Sequence, residues 1–192
     1  LQLNGYNGGG IIAGGKLNVS YEGDNNIASM GEGITAIDGT SEDAELNISG
    51  TGTLTVESNG DSLTSAGDLS IGGSGDISVD SANGDGIHTE GDLTIEGTGT
   101  VKASGAYGGI YASGDVAINT NGSVTAKGEN FRGMHADGDM SITGGGVVEA
   151  KSETDDGIRA EGTLEISNST VTVKGTEQGI WAWKGLTIDN AT

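Results

Sequence analysis

The 192-residue chain has no cysteine, no proline and a single phenylalanine. Without cysteine no disulfide can staple the fold, so the core must come from packing and backbone ladders. Proline would delete a ladder donor at almost any strand position, and its absence fits a chain built of strands. No apolar run approaches the length that crosses a membrane as a helix. Basic residues are scarce: eight Lys+Arg stand against 28 Asp+Glu, a formal charge of −20. The basic footprint that nucleic acid or an anionic membrane requires is missing, which argues strongly against both as partners. No signal-peptide pattern is present and the first residue is leucine, so the chain is expected to be one domain, 1–192, cut from a longer protein.

Glycine is abundant instead, with 38 residues. It shows no G-X-Y triplet, and Val, Ile and Thr recur in alternation, so neither collagen nor disorder fits. The acidic charge is uneven: residues 1–96 hold 16 acids and one lysine, residues 97–192 hold 12 acids and seven bases. A solvated surface that keeps a repetitive protein soluble accounts for it. Cation binding is the alternative.

The chain repeats itself. Taking one apolar position as a marker gives Leu17, Leu46, Leu69, Leu93, Val116, Met140, Leu164 and Leu186, with steps of 22–24 residues and one of 29. The long step holds an insertion near Asp38 to Glu45. Each repeat carries three alternating segments, as in Gly86-Ile87-His88-Thr89, Leu93-Thr94-Ile95 and Val101-Lys102-Ala103. Period-two alternation means strands with one buried face. Three strands in constant order stack best on the same strands of the next repeat. The spacing thus predicts an all-β, right-handed parallel β-helix of about eight coils.

Three inward columns follow. One runs from Ile11 through Ile87 to Ile180, a second from Val19 through Ile95 to Ile188, and a small third from Ala13 through Thr89 to Ala182. Gly67, Gly91, Gly114, Gly138 and Gly162 share one corner, where positive φ is expected. Leu1–Leu3 is expected in a third strand, and Thr192 falls just before one. Such ends would fit copy to copy, end to end.

The outward position of the first strand reads Ile12, Thr35, Thr64, His88, Tyr111, His135, Arg159 and Trp181, with Trp183 two residues on. Tyr107 and Phe131 lie just before two of these strands, with Arg132 beside them. With strands ~4.8 Å apart, the rings form a strip. Aromatics stacked along a ladder can serve stability alone. Clustered with Arg, His and carboxylates, they suit a platform for sugar rings, predicting a polysaccharide partner. Lys127, Lys151 and Lys174 stack on the third strand and are expected to pair with acids such as Glu149 or Glu153.

Asp68, Asp92, Asp115 and Asp139 repeat after the corner glycines, where they are expected to accept bonds from turn amides. For calcium the better candidates are Asp61 and Asp85, in one column, and the pair Asp155 and Asp156. No twelve-residue calcium loop occurs. Catalysis finds no G-x-S-x-G, no Walker loop and no H-E-x-x-H. A polysaccharide lyase would need an activated base beside calcium, and no such cluster is legible. His88 and His135 lie two coils apart with Tyr111 between, a ladder and not a nucleophile–base pair.

At "DGIHTEGDLTIEG" (85–97) and "DDGIRAEGTLEIS" (155–167) the chain resembles the clostridial-type carbohydrate-binding β-helix domains, which are pectate-lyase-like in shape. The resemblance runs from Gly10 to Asp189. It implies polysaccharide binding, calcium sites on the helix, and a secreted or surface-attached bacterial protein. The acid before the strand glycine is kept at Asp85 and Asp156 and replaced at Gly108, Arg132 and Gln178. The rival expectation is a structural stalk, an adhesin passenger or a filament subunit.

Overall fold

The computed structural model describes residues 1–37 and 44–192. The expected insertion therefore lies outside the described residues, apart from Ala44 and Glu45. Among the described residues there is no helix, and none long and apolar enough to cross a membrane. Three parallel sheets of eight, nine and eight strands run the length of a β-solenoid. One coil shows the pattern: Ile87–Thr89 lies in the first sheet, Leu93–Gly97 in the second and Thr100–Gly105 in the third. Each strand pairs in parallel with its counterpart one coil away.

The predicted columns are the registers observed. Ile87 pairs with Leu63 and Ile110, Ile95 with Ile71 and Ile118, and Thr89 with Ser65 and Ala112. Inward Ile, Leu and Val side chains from the three sheets merge into one core. Burying each such side chain contributes roughly 1.5–3 kcal/mol. An exposed ion pair such as Lys127–Glu129 contributes about 0–1 kcal/mol, so the columns and not the charges hold the rod together. Two of the stacked lysines pair with acids, Lys127 with Glu129 and Lys151 with the expected Glu153.

Two expectations are corrected. The corner glycines Gly91, Gly114, Gly138 and Gly162 are not at positive φ; among glycines after the second strand, Gly73, Gly97 and Gly144 are. The corner excludes a side chain for another reason. A Cβ on Gly114, Gly138 or Gly162 would sit 2.1 Å from the Oδ1 of Asp92, Asp115 or Asp139 in the preceding coil. That oxygen accepts the next coil's amide: Asp92 N–H donates to Asp68, Asp115 to Asp92, Asp139 to Asp115 and Thr163 to Asp139, at 2.7–2.9 Å. The aspartates thus form a side-chain ladder beside the backbone ladder, and glycine makes room for it.

The second correction concerns Leu1–Leu3. Gln2–Asn4 joins the second sheet, with Leu3 opposite Tyr21. A short L-x-L alternation fits any of the three sheets, and Leu3 is chosen by what it covers. Tyr21 itself is fully buried and takes the space of a side chain in the coils above it. A Cβ on Gly50 would lie 2.5 Å from its ring, and one on Gly75 would lie 2.7 Å from its hydroxyl.

Candidate functional site

The first sheet places His88 beside Tyr111, Tyr111 beside His135, His135 beside Arg159, and Arg159 beside Trp181. Alternation turns these residues outward while Ile87, Ile110, Met134 and Ile158 point in and anchor each strand. Ring centroids are 4.9 Å apart for His88–Tyr111 and 5.2 Å for Tyr111–His135. A second row stands alongside. Tyr107 stacks on Phe131 at 4.7 Å with planes 16° apart, and the Arg132 guanidinium lies 4.1 Å from the Phe131 centroid. Arg159 lies 3.9 Å over Trp181, and Trp183 adjoins that ring at 5.5 Å. The predicted carbohydrate residues are thus brought into one continuous strip.

They are not equally accessible. Tyr107 is 49% and Trp183 72% exposed, whereas His135, expected on the open face, is only 6% exposed. An outward ladder position is not an exposed one when both neighbours are large. Phe131 lies edge-on at 6.3 Å, Tyr111 is beside it, and Arg132 hydrogen-bonds to it. His135 is therefore the floor of the platform.

A row of acids two residues after the strip completes the site: Glu90, Asp137 and Glu161. The sequence reading passed over them, although "GIHTE", "GMHAD" and "GIRAE" repeat the same offset. Tyr111 donates to Asp137 at 2.8 Å, Arg159 Nε donates to Glu161 at 2.7 Å, and Ser113 donates to Glu90 at 3.0 Å. These bonds fix rings and guanidinium in place, which lowers the cost of ordering them around a ligand.

The two histidines of one ladder have opposite charge preferences. Arg132 Nη1 donates to His135 Nδ1 at 3.0 Å, and His135 Nε2 faces Asp137 Oδ1 at 3.1 Å. Burial, then the Arg132 charge, push its pKa down to about 4, so it is neutral at pH 7. Burial also opposes charge on His88. Hydrogen bonds to Asp85 and Glu90 and the charges of Asp61 and Asp85 outweigh it and raise the pKa to about 9. Burial, then the nearby Asp61 charge, push Glu32 up. For Arg132, burial and the Arg159 charge hold the guanidinium below its usual value.

The predicted metal residues separate into two groups. Asp61 and Asp85 stand in one column, Asp85 N–H donating to Asp61 Oδ1 at 2.7 Å, and the sequence reading missed that His88 joins them. Asp155 and Asp156 are joined by Glu177, also unforeseen. Asp156 is fully buried, and its Oδ2 has no hydrogen-bond partner.

The ring-bearing face is the outer side of the first sheet. A groove of about 450 Å³ lies elsewhere, on the third sheet, lined by Glu57, Asp80, Lys102 and Lys127 among others. No curated protein and no solved structure matches the chain. Residues 100–185 match the model of a family described as "carbohydrate-binding domain-containing protein". That stretch takes in every ring and guanidinium of the strip except His88, and over it the chain is similar to the clostridial-type carbohydrate-binding family.

Proposed function

We propose that this is a non-catalytic, extracellular or cell-surface bacterial module that binds polysaccharide along its first sheet. The observation that carries the reading is the strip itself: flat rings held by guanidinium stacking, with a row of carboxylates at their edge. Sugar rings offer one apolar face and a rim of hydroxyls, and such a strip answers both. The matched carbohydrate-binding segment covers the same coils. A non-catalytic role is supported by the histidines, whose ring nitrogens are engaged by fixed partners and not by a nucleophile.

The calcium of this reading belongs at Asp155, Asp156 and Glu177. Three carboxylates supply the hard oxygen donors calcium takes, and Asp156 Oδ2, buried and without a hydrogen bond, fits that role. Arg132, 3.6 Å from Asp155, and Arg159, 3.5 Å from Asp156, compete for the same charge. Binding there would draw both guanidinium groups away from the carboxylates.

The test is sedimentation with insoluble polysaccharides, followed by affinity electrophoresis in soluble ones. Tyr107→Ala combined with Trp181→Ala should weaken binding about tenfold or more, ~1.4 kcal/mol, with the melting temperature kept. No retention on any polysaccharide, or undiminished retention of the double variant, sinks the proposal.

A further inference from the structure

Asp61 and Asp85 each use one carboxylate oxygen structurally. Asp61 Oδ1 accepts the amide of Asp85 at 2.7 Å, and Asp85 Oδ1 accepts the amide of Gly108 at 2.8 Å. The second oxygens turn toward one atom, His88 Nδ1, at 3.6 Å and 3.1 Å. The other ring nitrogen, Nε2, is held by Glu90 Oε1 at 3.2 Å, and Glu90 is steadied by Ser113. The imidazole orientation is thereby fixed with Nδ1 facing the aspartates.

We propose that Asp61, Asp85 and His88 form a site for a zinc-class divalent cation. The spacing supports it. Bonds of ~2.0–2.1 Å in a tetrahedron place ligand atoms roughly 3.3–3.4 Å apart, and 3.1 and 3.6 Å straddle that edge. The donor set supports it as well. One imidazole nitrogen with two carboxylate oxygens suits zinc and its neighbours, whereas calcium takes six or more oxygens. Carboxylate support behind a ligating histidine, here from Glu90, is the usual outer shell of such a site. Asp85 is nearly buried while Asp61 and His88 remain partly open, so an ion can enter and keep one position for water. The ion would also tie Asp61 to the following coil.

The whole chain is titrated with zinc, and with cobalt for its visible spectrum, at pH 7.5. One equivalent should bind, with the absorption of a low-coordinate nitrogen–oxygen site and a raised melting temperature. Ten equivalents of calcium should not displace it. His88→Gln should abolish the cobalt spectrum, Glu90→Gln should weaken binding about tenfold or more, and His135→Gln should change neither. No stoichiometric binding, equal binding by His88→Gln, or displacement by calcium would each overturn the assignment. Glycan retention is scored separately, so failure of the sugar platform leaves this result standing.

Discussion

Gly138→Ala is the sharpest probe of the aspartate ladder. The new methyl would lie 2.1 Å from Asp115 Oδ1 and 2.9–3.0 Å from the backbone of Gly114. The carboxylate must leave, and it is the acceptor of the Asp139 amide at 2.7 Å. A hydrogen bond to a charged group contributes roughly 1.5–3 kcal/mol. Residual crowding against Gly114 adds to it, so a loss of ~2–4 kcal/mol is expected. For a chain of this length that is a fall of about 4–16 °C in melting temperature, at ~2–4 °C per kcal/mol. Asp115→Ala should cost about 1.5–3 kcal/mol by removing the same acceptor. The two share one interaction, so the double variant should be less destabilised than the sum by ~1–2 kcal/mol. Calorimetry or urea unfolding of the four proteins measures the cycle. An additive double variant, or a Gly138→Ala cost below ~0.5 kcal/mol, would refute the ladder as the reason for glycine at this corner.

The histidines should give opposite pH dependences. His88 has a folded pKa raised to about 9. Its contribution to stability is therefore complete below about 6.5, its unfolded value, and is lost as pH rises toward 9. His135 has a folded pKa lowered to about 4, so its contribution is present above about 6.5 and drains away as pH falls toward 4. NMR titration of the two rings, with His88→Gln and His135→Gln to isolate each slope, checks both signs; two values near 6.5 would contradict the site's electrostatics. Tyr21→Phe removes a buried hydroxyl that has no partner, so it should leave the melting temperature level or slightly higher. A clear drop would mean the hydroxyl is satisfied. Millimolar calcium, at matched ionic strength, should raise the melting temperature, and Asp156→Asn should remove the rise.

The solenoid was legible because its cause is local and repeated. Inside and outside alternate every residue, the spacing of repeats sets the register, and Ile87, Ile110, Met134 and Ile158 recur at that spacing. The strip of rings followed from the same arithmetic. What failed was anything that depends on neighbours from other columns. Positive φ is the sequence expectation for a corner glycine, because glycine alone cannot say whether it serves torsion or room. Gly114 answers only when the Asp92 carboxylate is seen against it.

Sequence alone therefore determined the fold class, the coil count, the inward columns and the order of residues along the outer face, since all of these follow from period and alternation. Tertiary structure decided which outward residues are accessible, which charges survive, and which acids converge. His88 and His135 are equivalent in the repeat, yet one sits among Asp61, Asp85 and Glu90 and the other under Phe131 and beside Arg132. Of those partners Asp61 comes from the neighbouring coil, 27 residues away, and the others stand two to four residues off at different offsets. Electrostatic energy depends on distance in space and on burial, and neither quantity is written in a single row of the repeat.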